Sequence, residues 1–222
     1  MLPMLFREIV PFVSSRAPQL VGGLVLCGAV SFAVSDFRLG AWGFLGQRLL
    51  LIALLWAIIG TPLALTSAIA AIAIALIFSI TAWRLWYIQR TARKAMSGMA
   101  MSKPPLSRFS LRVLMAALGI LLSYGLAQKY QVGSLPFLTT FTLAWLFVSS
   151  LFSVLLPDNA LHTSLGILNF ADGCRILYAL WQPAPLVWGL WTACDVLIAL
   201  AASHLHNGEV IAAHSKLAGG QE

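Results

Sequence analysis

Long apolar runs, separated by short polar or helix-breaking stretches, divide the chain into seven segments. The first runs from about Gln19 to Val34 and is closed by Asp36 and Arg38. The second runs from about Ala41 to Gly60. There Gly60-Thr61-Pro62 breaks it, because proline lacks an amide donor and clashes with the preceding turn. The third, about Leu63 to Trp83, is almost purely aliphatic. The others span about Val113–Ala127, Leu135–Leu156, Ala160–Trp181 and Pro185–Ser203. A fused second and third helix would reach about 60 Å at about 1.5 Å per residue, twice the hydrocarbon core, so two crossings are predicted. The pattern predicts an all-α, polytopic transmembrane bundle of about seven helices, one membrane domain over residues 1–222.

Composition sharpens that reading. Of 222 residues, 60% are hydrophobic and 9% are charged, against about 45–50% and about 25% in soluble domains. The mean hydropathy is +0.89. So few charges could not dress a soluble surface, which excludes most soluble enzyme classes. The lipid bilayer is the first expected partner. The N-terminal residues 1–18 contain Arg7, Glu8 and Pro11 and lack a cleavage-site pattern, so they read as a short interfacial segment rather than a signal peptide.

The net charge of +7 comes from 14 Lys and Arg against 7 Asp and Glu. Seven of the basic residues, Arg84, Arg90, Arg93, Lys94, Lys103, Arg108 and Arg112, fall in the polar segment 84–112, which holds no acid. The positive-inside rule makes that segment a cytoplasmic loop. Counting outward puts the N-terminus outside and the C-terminus, with its polar tail 206–222, in the cytoplasm. Arg38, Arg48 and Lys216 join the loop on the cytoplasmic side, with Arg48 read as snorkelling from the first turns of its helix. Only Arg7, Arg16 and Lys129 lie outside. A multi-pass protein of the inner, cytoplasmic membrane follows. Trp42, Trp83, Trp86 and Trp181 sit near predicted ends, as an interfacial aromatic belt would. No basic helix interleaved with exposed aromatics points to nucleic acid.

Cys27, Cys174 and Cys194 lie inside apolar runs without metal-ligand spacing, so no metal is expected and they read as small apolar fillers. Ser14, Ser15 and Ser107 have no His and Asp partners at triad spacing. Gly22-Gly23, Gly125 and Gly133 read as close helix packing, and Asp158-Asn159 as the cap of the sixth helix.

The residues that carry chemistry are Asp172, Arg175 and Asp195. Asp172 precedes Pro183 by 11 residues and Asp195 follows it by 12. In an antiparallel hairpin, equal distance from the turn means equal depth, so both carboxylates lie near the bilayer midplane. A carboxylate there costs about 2.5–3.5 kcal/mol on insertion scales, and such residues mark functional sites by default. Two readings stay open for Asp172 and Arg175, three apart on one helix face: a static ion pair, or a carboxyl tuned for proton movement. For Asp195 the alternatives are a hydrogen bond to Thr192 or to a neighbouring subunit, and a proton-relay role. His162, near the cytoplasmic start of the sixth helix, is a candidate for proton uptake.

Three segments near the C-terminus carry a family likeness: GILNFADG (166–173), APLV (184–187) and TACDVLIA (192–199). This region, 160–217, resembles membrane component E of hydrogenase-4-type complexes. Residues 157–205 resemble the charged helix pair of the small K-type membrane subunit of respiratory complex I. The resemblance implies a non-catalytic subunit beside antiporter-like and other membrane-arm subunits, with one acid on each of two adjacent helices in a proton path. Asp195 matches the second acid; Asp172 is displaced from the first by about one residue. It also implies that this chain itself holds no cofactor and no catalytic residue. The expected function is therefore proton relay in a complex I-like or group 4 hydrogenase-like ion-translocating complex, by way of Asp172, Asp195, Arg175 and His162. A scaffold subunit and a small stand-alone transporter are the alternatives. The transporter lacks an inverted repeat and paired broken helices.

Overall fold

The computed structural model describes residues 2–34, 37–95, 106–130, 136–156, 160–181 and 184–219. Among the described residues seven helices follow one another: α1 (Leu2–Ala33), α2 (Phe37–Ile59), α3 (Thr61–Ala95), α4 (Leu106–Lys129), α5 (Phe137–Leu155), α6 (Ala160–Trp181) and α7 (Pro185–Gly219). Among the described residues there is no strand. Six of the helices are long and apolar enough to cross a membrane. The chain is thus a multi-pass helical membrane protein. The helix outside that set is α6, whose apolar run is interrupted by His162, Asn169, Asp172 and Arg175.

The helices pack as two facing rows. Helices α3, α2 and α1 form one row, and α7, α6 and α5 the other. They meet in the pairs α3–α7, α2–α6 and α1–α5, and α4 closes one end against α1 and α5. The central pair, α2 and α6, is flanked by protein on both sides. A polar helix is tolerated there because its polar face turns to protein rather than to lipid. Large apolar side chains such as Leu121, Leu186 and Ile69 point outward, as a lipid-facing surface requires. Trp42 and Trp83 are exposed; the side chains of Trp86 and Trp181 lie outside the described residues.

The sequence boundaries hold best where a breaker sets them. Gly60 has φ of +75°, a left-handed conformation that glycine adopts without strain, and it ends α2 at the expected break. Elsewhere helices run on into polar sequence. Helix α1 is continuous from Leu2, and its membrane-length apolar stretch begins at Arg16. The polar tail is helical to Gly219. The basic segment is largely the ends of α3 and α4; only 96–105, with Lys103-Pro104-Pro105, lies outside the described residues. Asp158-Asn159 and Pro183 also lie outside them. Hydropathy marks where a helix leaves the apolar slab, but a backbone keeps its hydrogen bonds well beyond that point.

Of the glycines expected at close helix contacts, Gly23 meets one: a methyl there would stand 3.2 Å from Leu50 Cδ1 of α2. Gly22 and Gly125 face open space; Gly133 lies outside the described residues. Tighter approaches to neighbouring backbone include Gly43 on Cys27 and Ser31, joining α1 to α2, and Gly166 on Ser153 and Ser150, joining α5 to α6.

Candidate functional site

Four charges from three helices meet where α2, α6 and α7 converge. Arg48 is the twelfth residue of the 23-residue α2, well away from either end. Its Nε donates to Asp172 Oδ2 at 2.7 Å and its Nη2 to Asp172 Oδ1 at 2.8 Å. The same Nη2 donates to Asp195 Oδ2 at 2.8 Å. Arg175 donates through Nη2 to Asp195 Oδ2 at 2.5 Å and through Nη1 to Asp172 Oδ1 at 3.3 Å. The group is two cations and two anions, and all four residues are buried. The planar guanidinium fork suits this bidentate geometry better than an ammonium would.

Arg48 corrects the expectation that it snorkels from the first turns of its helix. α2 starts at Phe37 rather than near Ala41, which moves Arg48 to mid-helix. A charge at that depth is far cheaper paired inside the protein than unpaired. Removing Arg48 from the cytoplasmic tally leaves the charge asymmetry intact. The first half of the chain therefore supplies one of the deep charges, which the sequence had confined to the last two helices. A signal was present: Arg48 precedes the Gly60 break by 12 residues, the same spacing that separates Asp195 from Pro183.

Asp172 and Asp195 share Arg48, so they sit side by side at one depth. Thr192 does not bond Asp195; its hydroxyl donates to the Trp188 carbonyl at 2.7 Å. Arg175 also lies over the rings of Trp188 and Trp191, at 5.5 and 5.9 Å, and Arg48 over Phe44 at 4.9 Å. These ring faces stabilise the guanidiniums by cation–π attraction. Trp188 is held in turn by its Nε1 donating to Ser67 Oγ of α3 at 2.7 Å. A cavity of about 20 Å³ lies between the ion cluster, Ser67 and Trp188. That is room for about one water.

His162 does not join the cluster. It is buried near the start of α6, ten residues before Asp172, with Arg112 Nη1 of α4 3.3 Å from its Nε2. Arg112, expected in a loop, is thus a buried helical residue. Both line a second cavity of about 10 Å³, with Ser149, Ser153 and Asn169. The positions His162, Asn169, Asp172 and Arg175 are spaced seven, three and three residues apart, which puts them on one face of α6. That face is a buried polar line about 20 Å long at about 1.5 Å per residue. Asn169 and Gln47, both buried beside the cluster in sequence, were not foreseen. Neutral amides give no charge signal inside an apolar run.

Of the cysteines, Cys27 and Cys174 are half-buried, as apolar fillers are, and Cys194 is exposed on the outer face of α7. Among the described residues no three His, Cys, Asp or Glu side chains gather as a metal site would need. No family model, curated protein or solved structure matches the chain.

Proposed function

We propose that the chain is a non-catalytic membrane subunit that relays protons through its buried carboxylates. Its setting would be a complex I-like or group 4 hydrogenase-like ion-translocating assembly in the inner membrane. The observation that carries the reading is the buried polar line of α6. It runs from Arg112 and His162 to the Arg48–Asp172–Arg175–Asp195 cluster, with a small cavity at each end. A relay needs titratable or hydrogen-bonding groups at successive short steps, screened from lipid. The complex I-like setting is supported by the resemblance of residues 160–217. The partners would then be antiporter-like membrane-arm subunits, which supply the energy.

A second reading has its own support. The cluster is charge-balanced, and it ties α2 to both α6 and α7. Such a knot also serves a scaffold subunit, fixing helix register.

The deciding experiment is Asp195→Asn in membranes or vesicles that hold the native complex. Under the relay reading, proton uptake falls at least tenfold while the complex is still recovered whole. Under the scaffold reading, the complex fails to assemble. Normal uptake with normal assembly removes Asp195 from both. Mass spectrometry of the proteins that copurify in mild detergent tests the partner class separately.

A further inference from the structure

The two cavities share one wall: α6 is the helix that lines both. The smaller, about 10 Å³, is bounded by Ser31 near the end of α1, Arg112 near the start of α4, Ser153 near the end of α5, and His162 and Asn169 of α6. The larger, about 20 Å³, is bounded by Leu55 near the end of α2, Ser67 near the start of α3, Trp188 near the start of α7, and Asp172 and Arg175 of α6. Successive crossings alternate in direction. The ends of α1 and α5 therefore share a membrane face with the starts of α4 and α6, and the end of α2 shares the other with the starts of α3 and α7. The side-chain contacts agree, since Arg112 meets His162 on the first face and Trp188 donates to Ser67 on the second. The smaller cavity thus lies toward the face of the basic segment 84–112, and the larger toward the opposite face.

The change from one cavity to the other takes a single helical turn. Asn169 lines the smaller cavity and Asp172 the larger, and three residues of α6 rise about 4.5 Å. Each cavity also has a lining residue with a buried polar atom that finds no hydrogen-bond partner among the described residues: Asn169 Oδ1 in one, Arg175 Nε in the other. Such groups are satisfied by protein or by ordered water. One water needs about 10–15 Å³, which the smaller cavity just reaches and the larger exceeds. We propose that α6 carries a path from one membrane face to the other, in two halves that hydrate from opposite faces. The halves meet at a barrier one helical turn thick, between Asn169 and Asp172. At that turn Asp172 is clamped by Arg48 and Arg175. A route running sideways between subunits needs no opening toward both faces. The sided access rests on packing; that the species passed along it is a proton rests on the relay reading.

The test uses the full chain in sealed membrane vesicles of the two orientations, with Cys27, Cys174 and Cys194 replaced by alanine. Ser153→Cys puts a thiol on the wall of the smaller cavity, and Ser67→Cys on the wall of the larger. The probe is silver ion, a thiol reagent small enough to follow water. Thiols it has not blocked are counted with a maleimide after denaturation. Silver is expected to block Ser153→Cys at least tenfold faster from the face of the basic segment, and Ser67→Cys at least tenfold faster from the opposite face. Blocking of both from the same face overturns the path, and equal rates from both faces overturn the barrier. So do rates no higher than that of Ala75→Cys, buried in the apolar core. Should either variant fail to insert, Ser149→Cys and Ile52→Cys line the same two cavities and take its place. Proton uptake in Asp195→Asn is a separate readout. Sided access with normal uptake there keeps the path and removes the relay; lost uptake with access from one face alone keeps the relay and overturns the path.

Discussion

Arg48 and Asp172, 124 residues apart in sequence, are joined by two parallel hydrogen bonds of 2.7 and 2.8 Å. That fork binds the central pair of helices, α2 and α6, and it brings the first half of the chain to the carboxylates of the second. Breaking a buried pair by removing one partner leaves an uncompensated charge and typically costs about 3–5 kcal/mol. Arg48→Met is expected to destabilise the protein by about that amount. The double variant Arg48→Met with Asp172→Leu removes one charge of each sign and leaves Arg175 with Asp195. It is expected to unfold later than either single variant. Thermal unfolding of the four proteins in detergent, read as a double-mutant cycle, measures the coupling.

The two carboxylates are held differently, and this predicts unequal responses to amide substitution. Asp172 accepts through both oxygens, whereas the arginine bonds to Asp195 all converge on Oδ2. Asparagine keeps one acceptor and replaces the other with a donor. At 195 the remaining oxygen still faces both guanidiniums. At 172 the new amide hydrogens must face an arginine. Asp172→Asn is therefore expected to lower stability by about 1–3 kcal/mol more than Asp195→Asn, the usual cost of a mismatched buried polar group. Equal midpoints of thermal unfolding would show that the carboxylates are not held as the hydrogen bonds indicate.

How much of this was legible depended on whether a residue announced itself locally. The apolar runs placed all seven helices, and Gly60 and the sixth-helix limits were readable because breakers flank them. The equal depth of Asp172 and Asp195 followed from one short connection. Arg48 was misread because hydropathy started its helix four residues late, and an arginine near an apparent helix end looks like an interfacial one. The rule that paired the aspartates by distance from a turn applies equally to Arg48 and Gly60. Gln47 and Asn169 were not legible, since a neutral amide carries no charge signal inside an apolar run.

Ser67 anchors Trp188 beneath Arg175, so its removal should be felt at the cluster. In Ser67→Ala the indole N–H loses its 2.7 Å acceptor and stays buried. The expected loss is about 1–3 kcal/mol. Ser67→Thr keeps the hydroxyl and should recover most of it. Thermal midpoints of the two variants make the comparison, and equal midpoints would remove the hydrogen bond as the cause.

The glycines make a paired prediction about helix packing. In Gly166→Ala the added methyl would lie 2.8 Å from Ser153 Cβ and 3.1 Å from the Ser150 carbonyl oxygen. The carbonyl is backbone and cannot rotate away. Overpacking of this kind costs about 1–3 kcal/mol. Gly22→Ala and Gly125→Ala meet nothing within 4 Å and are expected to be neutral or slightly stabilising, since alanine is the better helix former. Equal effects at all three positions, read from unfolding in detergent, would mean that α5 and α6 do not approach at Gly166.

The side on which the C-terminus lies depends on α6. With the N-terminus outside and the basic stretch between α3 and α4 cytoplasmic, seven crossings return the C-terminus to the cytoplasm, and six would leave it outside. Composition alone sets α6 apart from the six apolar helices. Its contacts give a different answer. Asp172 bonds Arg48 at the middle of the α2 span, and Arg175 bonds Asp195 ten residues into the α7 span. A helix bonded at mid-depth to two crossing neighbours lies at that depth itself, and 22 residues at about 1.5 Å each give about 33 Å, enough for the core. A reporter fused after Glu222 is therefore expected to read as cytoplasmic. Fusions ending before Ala160 and after Trp181 should read on opposite faces. Reporters on the same face at those two points would place α6 at the membrane surface and separate Asp172 from the cluster.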